Sequence, residues 1–335
     1  MNRVAVIILN WNGVDDTILC LDSLLQQSYQ DLHIVVIDNG SIDNSAAILQ
    51  EYVKNNSTKI TLLLNKKNLG FAGGVNTGIS WALESKFDSI ALFNNDAVAD
   101  RLWLASLVEA STPSEVGIAT GLLLHEDGKT IDSTGDWFSK WGLAFPRNRG
   151  DLTNQAPKAG FVFGATGGAT LYKSTLFKDI GLFDEDFFAY YEDADMSFRA
   201  QLAGYKVVYT PRAVAYHKQG ATSNKIPGFA VYQTFKNLPL LFLKNVPRQL
   251  LMPVGTRFYL AYCLIYVNSF TNGNGWPATK GVFKSLQLSI RALRARHFIQ
   301  KHKRVSIEYI KSIFWDDLPP DQTGIRKFRK LFTGK

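Results

Sequence analysis

The sequence predicts an α/β fold, a mostly parallel sheet flanked by helices, followed by a basic and largely helical C-terminal extension. Three observations carry that prediction. Strand-like and helix-like periodicities take strict turns over the first hundred residues, which implies parallel strands covered on both faces. Each strand-like run ends in a short loop rich in Asn, Asp and Gly. From Tyr232 onward there are 18 Lys/Arg against 4 Asp/Glu, although the whole 335-residue chain carries a formal net charge of only +8. The division is expected near residue 230, with a sheet domain over 1–230 and the basic region over 231–335.

The elements follow in order. Residues 4–9 form a continuous β-rich run, 17–25 have helical periodicity, 33–37 are the next strand and 45–53 are helical again. Residues 60–64, 75–83 and 89–93 complete the series as strand, helix and strand. A hydrophobic content of 46% over this length supports a large core. The two cysteines, Cys20 and Cys263, stand in unlike contexts, so neither a disulfide framework nor a zinc site is expected, and a reducing compartment is. The N-terminal apolar run lacks the length and cleavage site of a signal peptide and reads as a buried strand. The longest apolar run, 258–267, is ten residues, short of the roughly 20 a spanning helix needs, so no transmembrane segment is expected.

In parallel sheets ligands bind beyond the carboxyl ends of the strands. The loops there are Asn10-Trp11-Asn12-Gly13, Asp38-Asn39-Gly40-Ser41, the stretch from Asn68 to Asn76, and Asn94-Asn95-Asp96. Any one of them reads as ordinary turn chemistry. Four on one edge point to a nucleotide. Gly70, Gly73 and Gly74 would let backbone amides approach a diphosphate at a helix start near Val75. The dinucleotide G-x-G-x-x-G and the P-loop patterns are absent, which weighs against a dehydrogenase or a P-loop kinase. Asp96, at the end of a strand, suits a hard divalent ion bridging two phosphates. If His217 reaches the same ion, its imidazole favours Mn2+ over Mg2+. The flexible residue types Gly220, Thr222 and Ser223 follow it.

The stretch from Phe187 to Ser223 supplies the remaining chemistry. Met196, Phe198, Leu202 and Ala203 recur at helical spacing and Gly204 ends the pattern, so Glu192, Asp193 and Asp195 occupy a first turn. Asp195 is expected to complement the helix dipole and pair with Arg199 one turn on. Glu192 and Asp193 are adjacent, and neighbouring carboxylates raise each other's proton affinity, as a general base needs.

The residues that carry a resemblance are Val6-Ile-Ile-Leu-Asn-Trp-Asn-Gly13, Val36-Ile-Asp-Asn-Gly-Ser41, Asn68-Leu-Gly-Phe-Ala-Gly-Gly-Val-Asn76, Leu92-Phe-Asn-Asn-Asp96, Gly181-Leu-Phe-Asp-Glu-Asp-Phe-Phe188 and Tyr191-Glu-Asp-Ala-Asp195. Ala203-Gly-Tyr-Lys206 and Ala215-Tyr-His217 extend it. The ordered set resembles the family 2 glycosyltransferases, nucleotide-sugar enzymes with the GT-A fold, and is most similar to their bacterial rhamnosyltransferase-like branch.

That resemblance implies an inverting, metal-dependent transfer of a sugar, rhamnose from dTDP-rhamnose, onto a lipid-linked saccharide in surface polysaccharide synthesis. A UDP-sugar donor is the alternative. It implies that Asp38 contacts the nucleobase beside Leu9, Asn10 and Trp11, and that Asn68, Gly70, Gly73, Gly74, Asn76, Asn94, Asn95 and Asp96 complete the donor site. Asp193 takes the position of the catalytic base, with Glu192 orienting its neighbours. Asp96 and His217 take the metal, Mn2+ or Mg2+. The first acidic position of the family's Asp-x-Asp motif is Asn94 here. Gly167, Gly168 and Tyr191 fall on the acceptor side, where 161–172 reads equally as a strand with bulges.

In the C-terminal region Phe235, Leu238, Leu241 and Phe242 form an apolar helical face broken by Lys236 and Lys244, and 285–296 repeats the theme with Arg291, Arg294 and Arg296. Such faces suit a headgroup layer at the inner face of the plasma membrane, a packed appendage or a homo-oligomer contact. A non-catalytic binder of membrane or nucleic acid is the competing function class, and no nucleic acid partner is expected for the enzyme.

Overall fold

A computed structural model of the chain describes residues 2–218 and 226–318. Gly220, Thr222, Ser223 and the basic tail beyond 318 lie outside the described residues. The first half runs β1 (Val4–Asn10), α1 (Val14–Leu25), β2 (Leu32–Asp38), α2 (Ser45–Asn55), β3 (Ile60–Leu64), α3 (Gly70–Glu84), β4 (Ser89–Asn94), β5 (Ala97–Ala99) and α4 (Trp103–Ala110). Strands β6 (Val116–His125), β7 (Ile131–Ser133), β8 (Asp136–Phe138), β9 (Ala144–Pro146), β10 (Gly160–Val162) and β11 (Ala169–Lys173) follow. Then come α5 (Ser174–Ile180), α6 (Glu192–Leu202), β12 (Lys206–His217), α7 (Phe229–Asn245), α8 (Leu251–Thr271), α9 (Gly275–Lys301) and α10 (Ile307–Ser312).

The central sheet has the order β10-β12-β6-β11-β4-β1-β2-β3, with β5 joined to β12 and β7 to β6. Strands β1 to β4 are parallel to one another, as their alternation with helices requires. Beyond β4 the sheet is mixed, because β11 enters antiparallel between β4 and β6 while β12 runs parallel to β6. Side-chain alternation divides the core: Ala5 and Ile7 of β1 face one hydrophobic layer with α3, and Val4, Val6 and Ile8 face the other with α1 and α4.

Three expectations need correction. Helix α3 begins at Gly70, not near Val75, so the glycines lie in its first turns. Close packing explains two of them: a Cβ at Gly70 (φ +74°) would stand 2.5 Å from the Phe188 carbonyl oxygen, and one at Gly74 would stand 2.5 Å from Leu9 Cδ1. The 161–172 stretch is two strands, β10 and β11, on different sheet neighbours, with an irregular passage between them.

The third correction concerns α7. Lys236 and Lys244 do not border a headgroup layer; both are buried, Lys244 beside Asp195 (2.9 Å) and Lys236 donating to the Phe187 carbonyl (2.9 Å). A third core joins Phe138, Phe163 and Phe198 of the sheet domain to Leu238, Leu241 and Phe242 of α7, Phe258 of α8 and Phe314. The apolar run 258–267 is embedded in the 21-residue α8. Residues Arg248–Thr271 are, by length and composition, enough to cross a membrane.

Candidate active site

The parallel register sets the site's edge. Asn10 pairs with Asp38 and Leu9 with Asn94, so three strands end together. Asn10 donates from Nδ2 to Asp38 Oδ1 (2.8 Å), which also accepts from Ser41 Oγ (2.6 Å), while Asp38 Oδ2 accepts from the Ser41 N–H (3.0 Å). Thr17 Oγ1 donates to Asn10 Oδ1 (2.9 Å) and receives a bond from Asn95 Nδ2 (3.0 Å). Asn39 donates to Asn68 Oδ1 (3.1 Å) and to the Gly70 carbonyl (3.0 Å). The four loops expected on this edge are thus one hydrogen-bonded rim, with Trp11 half-buried beside it. Asn76 has another task. It is buried, donates to the Phe183 carbonyl (2.9 Å) and accepts from the Phe183 N–H (3.1 Å), which pins α3 to the loop before α6.

Strand β12 brings His217 to the same edge, opposite Ala97 and next to Asp96. Its Nε2 lies 3.1 Å from Asp96 Oδ1 and 3.1 Å from Asn94 Nδ2, and its Nδ1 donates to Asp132 Oδ2 at 2.7 Å. Burial opposes the charged ring, but the Asp132 and Asp96 carboxylates overcome it and push the imidazole up to about 9. A neutral ring can accept at Nε2 from Asn94 Nδ2, whereas a protonated ring or a cation beside Nε2 also satisfies the Asp96 carboxylate. An imidazole nitrogen and a carboxylate oxygen turned to each other are the donors that would hold a divalent ion here. Among the described residues no group of three or more His, Cys, Asp or Glu side chains could hold a metal alone. The remaining ligands would have to come from outside these side chains.

Helix α6 supplies the other pole. Asp193, partly exposed, accepts from the Gly167 N–H at Oδ2 (2.9 Å) and from the Ala194 N–H at Oδ1 (2.8 Å). Burial raises its proton affinity and these bonds partly offset the rise. Gly168, the next residue, accepts from the Asn94 N–H (2.8 Å), and a Cβ on it would meet Asn94 Nδ2 at 3.0 Å. The Gly167–Gly168 step therefore joins the Asp193 carboxylate to the strand end that carries Asp96. Glu192 is buried with Oε2 unpartnered. Burial and then the adjacent Asp193 push it well above the usual carboxylate range. Tyr191 begins α6 in the left-handed region (φ 70°) and packs against the third core. Asp195 pairs with Arg199 (2.9 Å) as expected, and also with Lys244 and Asn245.

Three residues of the site, Asp132, Asp136 and Asn237, carry no signal in the sequence. Asp132 orients His217 and is itself paired with Arg149 (2.8 Å). Asp136 is buried, and burial followed by the Asp193 charge holds it well above the usual range. Asn237 of α7 donates to the carbonyls of Phe187, Ala189 and Tyr190 at 2.7–2.9 Å. The run Asp132-Ser-Thr-Gly-Asp136 reads as an ordinary turn in sequence.

Comparison with known proteins gives a consistent outcome. Residues 5–181 match the family described as glycosyl transferase family 2. The chain is 27% identical over 205 residues to the poly-beta-1,6-N-acetyl-D-glucosamine synthase of Staphylococcus epidermidis, covering 61% of this chain and 46% of that protein. It thus spans about half the length of that relative. It is 24% identical over 258 residues to the low-salt glycan biosynthesis hexosyltransferase Agl10 of Haloferax volcanii, covering 74% of this chain and 79% of that one. The structure resembles the mannosyltransferase PcManGT from Pyrobaculum calidifontis, solved with GDP-Man and Mn2+ (TM-score 0.56, 16% identity, 99% of this chain and 81% of that one). It also resembles residues 1–349 of TarS from S. aureus (TM-score 0.54, 14% identity, 95% and 94% covered). These likenesses show the GT-A fold.

Proposed function

The chain belongs to glycosyl transferase family 2, and we propose that it is an inverting, metal-dependent hexosyltransferase, with Asp193 as the base and Asp96 with His217 as the metal ligands. One observation supports this above others. The Gly167–Gly168 step ties the Asp193 carboxylate to the Asn94 strand end beside Asp96 and His217, so one backbone step links the proposed base to the proposed cation site.

In that reading Asp193 takes the proton from an acceptor hydroxyl as the oxygen forms its bond to the anomeric carbon. The bond from that carbon to the diphosphate breaks, and the nucleoside diphosphate departs. When bound, the divalent ion supplies positive charge to the leaving diphosphate. The backbone N–H groups of Gly167 and Ala194 fix the carboxylate's direction, which matters more than its proton affinity. The rim of Leu9, Asn10, Trp11, Asp38, Asn68, Asn94 and Asn95 would receive the nucleotide. Gly167, Gly168 and Tyr191 would border a saccharide acceptor.

For the finer assignment the donor is dTDP-rhamnose and the acceptor a lipid-linked saccharide of a surface polysaccharide, met at the cytoplasmic face of the membrane. Thermal unfolding with dTDP, UDP, GDP and NAD, each with Mn2+ and again with chelator, tests it. A ligand at about 100 times its dissociation constant adds about 2.7 kcal/mol of stability. A metal-dependent shift with dTDP above UDP is expected. UDP above dTDP would replace rhamnose with a UDP-sugar, and no shift with any diphosphate would remove the nucleotide site.

A further inference from the structure

The C-terminal helix α9 is built inside out for a soluble surface helix. Ala278, Gly281, Ser285, Leu288 and Ala292, mostly small, face the protein. Gly281 lies against α7, where a Cβ would stand 2.5 Å from the Tyr232 carbonyl oxygen. On the opposite side Trp276, Phe283, Leu286 and Ile290 are 64–67% exposed and Leu293 is 50% exposed. Their spacing keeps them in one stripe. A contiguous exposed stripe of large apolar side chains marks an interaction surface. The preceding helix α8 adds exposed Tyr259, Val267 and Phe270. It is held on α7 by ring contacts of Phe258 with Phe242 (4.8 Å) and of Tyr262 with Phe235 (5.1 Å).

Charge identifies the occupant. No Asp or Glu occurs anywhere in residues 218–307, which carry 14 Lys/Arg. The cations that face the sheet domain are paired, Arg291 with Asp186 and Arg304 with Asp179. Lys280, Lys284, Arg294 and Lys301 are exposed along α9, and among the described residues none of them lies in an ion pair. Lys280 Nζ lies 5.1 Å from the Trp276 ring. An apolar stripe bordered by cations matches a lipid surface with anionic headgroups. A two-fold contact with a second copy would instead set cations against cations.

We propose that the outer faces of α8 and α9 dock the protein on an anionic bilayer, with Trp276, Phe283, Leu286, Ile290 and Leu293 in the acyl boundary and Lys280, Lys284, Arg294 and Lys301 at the headgroups. Docking there would hold the cleft beside a membrane-borne acceptor. The inference stands apart from the transfer reaction, since vesicle binding reads the one and the nucleotide-induced thermal shift reads the other.

Flotation of the full chain with phosphatidylcholine vesicles, with and without phosphatidylglycerol, is the test. The protein should float with the anionic vesicles and be released by high salt. Phe283→Asp with Ile290→Asp should lower binding at least about tenfold. Lys280→Glu with Lys284→Glu should lower it about thirtyfold or more on anionic vesicles only. An unchanged thermal shift with nucleotide confirms that the variants fold. No flotation of the parent chain would overturn the proposal, as would unaltered binding by both variants. A dimer in solution that Phe283→Asp with Ile290→Asp dissolves would assign the face to self-association instead, and binding that ignores salt and headgroup charge would point to an α8 that crosses the bilayer.

Discussion

Asp132 holds His217 at Nδ1 (2.7 Å), which leaves Nε2 turned to Asp96 (3.1 Å). A carboxylate behind a ligating imidazole fixes ring orientation and basicity, and its loss usually costs 10–100-fold in metal affinity. Asp132→Asn should therefore raise the Mn2+ concentration needed for a nucleotide-induced thermal shift by about 10–100-fold. Titration of Mn2+ at fixed nucleotide reads this directly. An unchanged midpoint would remove Asp132 from the support of the metal site.

Asp193→Asn should abolish transfer, about 10²-fold or more in kcat, because an amide cannot take the acceptor's proton. Donor binding should be preserved, since Asn Oδ1 can still accept from the Gly167 N–H. Activity surviving in this variant, with the nucleotide-induced shift intact, would remove Asp193 from the base role.

Asp136 bears on the pH profile. The Asp193 charge raises the proton affinity of Asp136, which burial already holds well above the usual carboxylate range. Burial raises Asp193 as well, against the N–H groups of Gly167 and Ala194. Asp136 therefore takes its proton first on acidification and is neutral while Asp193 titrates, so in Asp136→Asn the acidic limb of kcat/KM against pH should stay in place. A limb that moves to lower pH would show that Asp136 carries charge beside the working base.

Much of this arrangement was legible and some was not, for a common reason. The order of β1 to β4 and the four polar loops followed from short-range periodicity, and the Asp195–Arg199 pair from one helical turn. The Asp132–His217 contact spans 85 residues, and no spacing rule reaches that far. Lys236 and Lys244 looked like border cations because α7 has apolar faces. Their partners, the Phe187 carbonyl and Asp195, come from another part of the chain. The glycines of α3 suggest phosphate approach in sequence, yet Gly70 and Gly74 meet Phe188 and Leu9, contacts that only the folded chain supplies.

Asp195 lies with Arg199 and Lys244 in a fully buried cluster. Burial disfavours its charge, but Lys244 and Arg199 outweigh this and hold its carboxyl below the usual range. A depressed folded value contributes stability above the unfolded value, near 4, that is lost as pH falls through the folded one. Asp195→Ala should thus cost about 3–5 kcal/mol at neutral pH, because buried Arg199 loses its carboxylate and Lys244 keeps only Asp184. In urea titrations the gap between parent and variant should shrink below about pH 4. A gap independent of pH would show that packing, not charge, sets the loss.

Asn237 bears on the loop that delivers Glu192 and Asp193. Three residues before or at the start of α6, Phe188, Tyr190 and Tyr191, have φ of 63–70°, a region costly for bulky side chains. Asn237 Nδ2 faces the carbonyls of Phe187, Ala189 and Tyr190, and Lys236 adds a bond to the first. An amide nitrogen carries two hydrogens, so three carbonyls share them and the loop is gathered around one atom. Asn237→Ala would leave those carbonyls without that donor, at about 1–3 kcal/mol for each one left buried and unpaired. The strained loop should then relax first, because its conformation is imposed by these bonds. We expect kcat to fall at least about tenfold, since a small misplacement of the base is costly, with the nucleotide-induced thermal shift nearly unchanged because the donor rim lies on other loops. Loss of kcat and of nucleotide binding in parallel would instead mean that Asn237 supports the whole fold, not the base alone.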